Sequence, residues 1–248
     1  MLQQNILWKP APKDLVLSRE HIHVFCASLD QPVLRIQQLT QSLSTDERVR
    51  AERFYFEQDQ KRFIVGRGLL RTILSCYLDI EPSQLQFCYG RRGKPALAAI
   101  LSESKLKFNL SHSQGLALYA IAYDCEIGVD IEHVRPIAEA EQIAERFFCV
   151  RENAVFRALP PNQKQEAFFN CWTRKEAYIK AIGDGLAWPL NQIEVSLAPG
   201  EPVRLLSIEG DPQEACYWSL QQLIPAPSYV GAIAVKAANN LVSCWAWP

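Results

Sequence analysis

The chain has 248 residues, 48% of them apolar, and a formal net charge of −1. That length suits one large domain or two of ordinary size, and the charge gives no support for a nucleic-acid partner, since nonspecific binders of that kind are distinctly basic. Eight cysteines occur without a C-x-x-C pair or a spaced Cys/His zinc pattern, which fits buried free thiols in a reducing compartment. The N-terminus lacks the basic start and apolar core of a signal peptide, and no apolar stretch reaches the length needed to cross a bilayer, so the protein is expected to be soluble and cytoplasmic.

Residues 1–20 read as irregular, because Pro10 and Pro12 interrupt any helix. Residues 21–27 alternate as a first strand. His21 and His23 share one face there, solvated or hydrogen-bonded, with no third metal ligand suggested nearby. Ser44 and Glu47 have the spacing of a capping box. An Arg-rich helical stretch follows to about Leu78, with a break near Tyr55 to Gln60. Its second helix has Phe63, Leu69, Leu70, Ile73 and Leu74 as core face, and Gly66 and Gly68 suggest close packing or ligand approach. Arg50, Arg53 and Arg62 fit two readings equally: a solvated helix face, or an anion-binding surface, since guanidinium offers bidentate donors to phosphate. Arg48, Lys61, Arg67 and Arg71 read as the solvated face.

Residues 85–89 are strand-like and lead to a basic turn at 90–95. Ser111 and His112 sit in a polar break before the apolar strand 116–123. A Ser/His nucleophilic pair requires the two side chains to meet, whereas neighbours on a strand point apart, so a phosphate-binding His112 is the more economical reading. A short turn at Asp124 and Cys125 runs straight into residues 126–134, which suggests a hairpin. In that strand Asp130 and Glu132 are two apart, so both carboxylates leave the same face. They can converge on one hard cation or form a solvated acidic face.

Residues 138–148 and 151–159 read as helices, the second ended by Pro160 and Pro161. In the helix that follows, Phe169, Trp172, Tyr178, Ile179 and Ile182 recur at helical spacing and Gly183 is the natural stop. Lys180 lies one turn after Glu176 on the same face; as a solvated pair the two contribute about 0.2–0.5 kcal/mol. If Glu176 instead faces Asp130 and Glu132, the three carboxylates would make a Mg²⁺ site completed by water and a substrate phosphate. Strands are expected at 193–197, 203–208, 216–223 and 229–237. Each half thus runs strand, helices, strands. The expectation is an α+β fold of two similar lobes, 1–124 carrying the basic stretches and 125–248 opening on the acidic strand, with a site between them.

Taken together these stretches resemble the Sfp-type 4′-phosphopantetheinyl transferases. The matching segments are RFYFEQDQKRFIVGRGLLR (53–71), GKP (93–95), FNLSHS (108–113), GVDIE (128–132), RFF (146–148) and WTRKEAYIKAIGDGL (172–186), in family order. The resemblance implies a pseudo-twofold pair of lobes with coenzyme A between them. It implies transfer of the phosphopantetheine arm to a serine of an acyl- or peptidyl-carrier protein, with release of 3′,5′-ADP. It implies Asp130, Glu132 and Glu176 as Mg²⁺ ligands, Lys180 near the diphosphate, and Arg50, Arg62, Lys94, Ser111 and His112 around the nucleotide's phosphates, with Arg53 added to the expected phosphate contacts from the anion-binding reading of its stretch. Glu47 departs from the pattern: some relatives carry a cation there. Glu176 is expected as general base and Lys180 as the group that neutralises the leaving nucleotide.

Two rivals follow from the residues alone: a metal-dependent nuclease, and a coenzyme A or carrier-protein binding module without activity. The sequence does not name the acceptor carrier. Two lobes in one chain make a monomer the expected state, with no membrane partner.

Overall fold

The structure, a computed structural model, describes residues 8–183, 185, 188–237 and 240–248. Residues 1–7, read above as irregular, and Asp184 and Leu186 of the last motif lie outside the described residues.

After a short strand β1 (Lys9–Pro10), the chain passes twice through one order of elements. The first pass is β2 (His21–Ser28), α1 (Val33–Ser42), α2 (Thr45–Glu52), the 22-residue α3 (Glu57–Leu78), a small hairpin of β3 (Phe87–Tyr89) and β4 (Pro95–Leu97), then β5 (Leu106–Ser113) and β6 (Leu116–Tyr123). The second is β7 (Ile127–His133), α4 (Ala140–Phe147), α5 (Val150–Ala158), the 22-residue α6 (Pro161–Ile182), a small hairpin of β8 (Ile193–Val195) and β9 (Leu205–Ile208), a one-turn α7 (Pro212–Ala215), then β10 (Ser219–Leu223) and β11 (Tyr229–Val235). A last strand, β12 (Leu241–Ala246), closes the chain.

Sheet order repeats as well. The first sheet runs β1-β12-β2-β6-β5 and the second β10-β11-β7, so β2-β6-β5 in one lobe corresponds to β7-β11-β10 in the other. The expected α+β fold of two similar lobes is therefore visible as topology, although the residues themselves do not repeat.

Local chemistry explains the element ends. Ser44 and Glu47 close the expected capping box on α2. Pro161 opens α6, where its missing N–H is not needed. Gly183, at φ +81°, ends α6 in the left-handed region. The helix begins a full two turns earlier than its apolar pattern indicates, because residues 161–166 are polar.

The layers stack as helix, sheet, sheet, helix. Phe25, Leu69, Leu70, Ile73 and Tyr119 fill the space between α3 and the first sheet. Ile22, Val24, Leu118 and Ala120 meet Val129, Ile131 and Ile233 between the sheets. Phe168, Phe169, Ala177, Ile179 and Ala232 bury α6 on the second sheet.

Three features correct the sequence reading. The turn at Asp124 and Cys125 is not a hairpin: β6 pairs with β2 and β5, whereas β7 pairs with β11. Both edges of β6 are already taken, so the chain must change sheets. The last strand, in turn, leaves the second half and lies parallel to β2 in the first sheet, Leu241 opposite His21. Residues 216–218, expected as strand, instead follow α7 as a turn.

Candidate active site

The site forms where α6 crosses β7. Ile127, Val129 and Ile131 face the other sheet, so the alternate residues Gly128, Asp130 and Glu132 face the helix side. Gly128 lets the two backbones touch: a Cβ there would overlap the Ala177 carbonyl oxygen and the Ala181 nitrogen, and would lie 2.9 Å from the Ala181 Cα. Glu176 and Lys180 are the chain neighbours of those two alanines, so the close approach delivers both to Asp130.

The Lys180 Nζ donates to Asp130 Oδ1 at 2.7 Å and to Ser111 Oγ at 2.7 Å, and Ser111 Oγ donates to the same Asp130 oxygen at 2.9 Å. Lys180 therefore pairs with Asp130, not with Glu176 as a solvated pair would. Asp130 Oδ2 and Glu176 Oε1 are buried acceptors without a hydrogen bond among the described residues. Burial first, and then the Asp130 charge, push the Glu176 carboxyl up to about 7; Lys180 opposes and Glu132 adds to the shift. Glu132 is half-buried, accepts from Ser113 Oγ at 2.9 Å and lies 3.6 Å from Arg135.

The edges of β5 and β7 are joined by side chains in place of a backbone ladder. Asn109 Oδ1 accepts the Val129 N–H at 2.9 Å, and Ser113 Oγ accepts the His133 N–H at 3.1 Å. Asn109, Ser111 and Ser113 share the face of β5 that makes this seam. Strand alternation turns Leu110 and His112 the other way, towards α3, with His112 still close enough to Lys180 and Asp130 to feel their charges.

On the α3 side a cavity of about 600 Å³ is lined by Arg50, Phe54, Arg62, Phe63, Arg67 and His112, among others. Arg62 spends its fork on Asp30, with hydrogen bonds of 2.8 and 2.9 Å. Arg50 lies over the Phe63 ring at 5.3 Å. Desolvation, then the Lys180 and Arg62 charges, lower the basicity of His112. Arg53 caps α2 and borders the adjoining outer groove with Arg50. Of the residues expected around the phosphates, then, Arg50, Arg62 and His112 converge on one cavity and Arg53 stands outside it. Ser111 joins the carboxylates. Lys94 lines a smaller pocket with Glu176 and Lys180, but its Nζ donates to the Ala181 carbonyl at 2.8 Å and the Ile127 carbonyl at 3.2 Å, tying the turn of the first lobe to the end of α6.

Arg67 and Arg71 are not a solvated face. Both are buried against one carboxylate, Glu47, at 2.7 Å each. Burial of two guanidinia is tolerable because both share the Glu47 carboxylate and each fork finds further acceptors.

Among the described residues no group of three His, Cys, Asp or Glu stands ready as a metal cage. Magnesium seldom uses one; it takes one or two carboxylates plus water and substrate phosphate. Two buried carboxylate oxygens without donors, in electrostatic contact with each other, fit that requirement.

Family models describe both halves: "4'-phosphopantetheinyl transferase, N-terminal" over residues 32–123 and "4'-phosphopantetheinyl transferase superfamily" over residues 126–234. The 4′-phosphopantetheinyl transferase HetI of Nostoc sp. is 48% identical over 245 residues, 99% of each chain. The chain belongs to the 4′-phosphopantetheinyl transferase superfamily. The transferase Sfp of Bacillus subtilis (strain 168) is 31% identical over 74% of this chain and 78% of its own. A solved structure, Thermotoga maritima holo-[acyl-carrier-protein] synthase (AcpS), aligns at TM-score 0.35 and 22% identity over 46% of this chain and 63% of that one. Membership makes this chain a transferase of the 4′-phosphopantetheinyl class, and the nuclease and binding-module alternatives are set aside with it.

Within this transferase, Lys175 of the W-x-x-K-E run is structural. It is 1% exposed, pairs with the buried Glu152, and donates to the carbonyls of Leu190 at 2.9 Å and Ile193 at 2.7 Å. Sequence reading missed Asn109 and Ser113, whose only signal is a polar residue at each alternate position of a strand whose other face is apolar up to His112. It also missed Gly128, a glycine inside a strand pattern, which does signal close backbone approach.

Proposed function

We propose that this enzyme transfers the 4′-phosphopantetheine arm of coenzyme A to a serine of an apo carrier protein in the cytoplasm, releasing 3′,5′-ADP, as a monomer. The observation that carries the reading is the pairing of Lys180 with Asp130 and Ser111 beside the donor-free Glu176 oxygen, a short way through the strand from the arginine-lined cavity. A diphosphate that joins a nucleotide to the transferred arm needs that division: cations for the nucleotide's phosphates, and a charge-compensated acid cluster at the reacting phosphoanhydride.

Asp130, Glu132 and Glu176 would hold a Mg²⁺ ion, which when bound neutralises charge on the phosphate oxygens. Glu176 acts as base. Its carboxylate takes the proton of the carrier serine hydroxyl as the oxygen attacks phosphorus and the bond to 3′,5′-ADP breaks. Lys180, held by Asp130 and Ser111, offsets the charge that builds on the departing 3′,5′-ADP. Arg50, Arg62 and His112 position the nucleotide.

Intact-mass measurement on fatty-acid, polyketide and nonribosomal-peptide apo carriers, after exposure to the enzyme with coenzyme A and Mg²⁺, tests this. The phosphopantetheine increment should appear on at least one carrier and vanish with chelator. No increment on any carrier overturns the transfer, and an increment indifferent to chelator overturns the metal.

A further inference from the structure

We propose that Arg67 is the second cationic arm that recognises the 3′-phosphate of coenzyme A, with Tyr89 and Glu47 fixing its orientation. The inference rests on the reading that the α3 cavity takes the nucleotide. A phosphate monoester carries close to two negative charges at neutral pH, so its site needs more than one cation. Arg62 helps to position the nucleotide, but Asp30 takes two of its donors and offsets its charge, so it adds no net charge for the phosphate. Arg50, at the mouth, supplies one charge.

The second comes from an imbalance buried beneath it. One carboxylate, Glu47, serves two guanidinia, so the group keeps one positive charge in excess. Arg71 cannot deliver it: it is 1% exposed, and its Nη1 donates to the carbonyls of Pro82 and Leu85. Arg67 can. It lines the cavity, its Nε and Nη2 are committed to Glu47 and to the Tyr89 hydroxyl at 2.7 Å, and its Nη1 has no hydrogen bond among the described residues. Its plane is held over the Phe87 ring at 4.9 Å. A guanidinium fixed on three sides loses little freedom on binding, which favours a charged ligand over water.

Topology assigns the phosphate. The diphosphate must reach Asp130 and Lys180, on the α6 side of the β5–β7 seam. Arg67 and Arg50 lie on the opposite, α3 side, with His112 of β5 between. The phosphate remote from the reacting bond is the one on the ribose 3′ position. Glu47, which departs from the cation some relatives carry, therefore costs the site nothing: its charge is spent on Arg67 and Arg71.

The test compares ligands that differ only in that phosphate. Calorimetry with adenosine 3′,5′-bisphosphate and 5′-AMP, and KM for coenzyme A and 3′-dephospho-coenzyme A, are measured on wild type, Arg67→Met and Tyr89→Phe. Methionine leaves a balanced Glu47–Arg71 pair and keeps contact with Phe87. Arg67→Met should lower the bisphosphate-to-AMP affinity ratio at least tenfold and collapse the KM ratio likewise, with kcat for coenzyme A little changed. Tyr89→Phe should lower both ratios about threefold. Equal weakening of both ligands makes Arg67 a packing residue and overturns the proposal, as do unchanged ratios. If Arg67→Met does not fold, an unchanged ratio in Tyr89→Phe overturns it alone. Failure of the underlying reading shows separately, as wild type that binds neither nucleotide.

Discussion

Gly128 and Ala177 touch backbone to backbone: the Ala177 carbonyl oxygen occupies the space where any other residue at 128 would put its Cβ. This contact sets the distance from Glu176 and Lys180 on α6 to Asp130 on β7. Gly128→Ala should therefore act on stability and chemistry together. The clash is with backbone, which yields less than a side chain, so the cost should sit at the upper end of the roughly 1–3 kcal/mol of overpacking. A displacement of about 1 Å at a reacting centre can cost about a hundredfold in rate. Thermal unfolding and kcat/KM should both fall; a variant with wild-type turnover would detach the site from this contact.

Glu176→Gln should separate the two properties. Glu176 is 9% exposed, with one oxygen lacking any donor among the described residues, beside the Asp130 charge. Removing its charge relieves desolvation and repulsion, so the melting temperature should hold or rise. Turnover should drop at least about a hundredfold, the usual scale for a lost general base. Mg²⁺ should raise the melting temperature of wild type more than that of the variant. A variant that retains full turnover would remove Glu176 from the proton transfer.

What the sequence discloses about this site follows a physical divide. Periodicity and capping are local, so Asp130 and Glu132 on one strand face, the Ser44 capping box and the Gly183 stop could all be read directly. Partner choice is not local. The pattern of 116–134 is equally that of a hairpin or of two strands in different sheets, and only the occupancy of β6 by β2 and β5 decides. Arginine is ambiguous for the same reason. Nothing near Arg67 or Arg71 announces that Glu47, twenty residues and more upstream, will draw both inside. Lys94 looks like a phosphate ligand in its motif, yet its ammonium finds two carbonyls at the lobe junction that no linear pattern shows.

Lys175 stands next to Glu176 and invites a catalytic role, but its environment is that of a strut. Its partner Glu152 is also 1% exposed and accepts the N–H groups of Cys149 and Val195, while Lys175 holds the carbonyl of Leu190, just before β8, and that of Ile193, its first residue. Lys175→Met should cost about 3–5 kcal/mol, because it strands a buried carboxylate. Adding Glu152→Gln should recover part of that loss, a coupling that a double-mutant cycle in denaturant reads out. Activity of the folded fraction should stay within a few-fold of wild type. A stable Lys175→Met protein with abolished turnover would reverse the assignment.

His23 supplies a pH dependence remote from the active site. It is 4% exposed on β2, bonded to the Tyr77 hydroxyl at 2.7 Å and edge-on to Trp245 at 4.6 Å. Burial lowers its pKa from 6.5 to about 4, with His21 adding to the shift. Above pH 6.5 the imidazole is neutral in folded and unfolded chains alike, so it imposes no pH dependence. As pH falls below 6.5 the unfolded chain takes up the proton and the folded one does not, and stability is lost until pH passes about 4. By pH 5 the loss should amount to about 2 kcal/mol. His23→Gln should be less stable at pH 7, through lost ring packing, yet its stability should fall less steeply between pH 7 and 5. Urea unfolding of both proteins at pH 7, 6 and 5 measures the difference, and parallel slopes would show that His23 ionises in the folded protein as freely as in the unfolded chain.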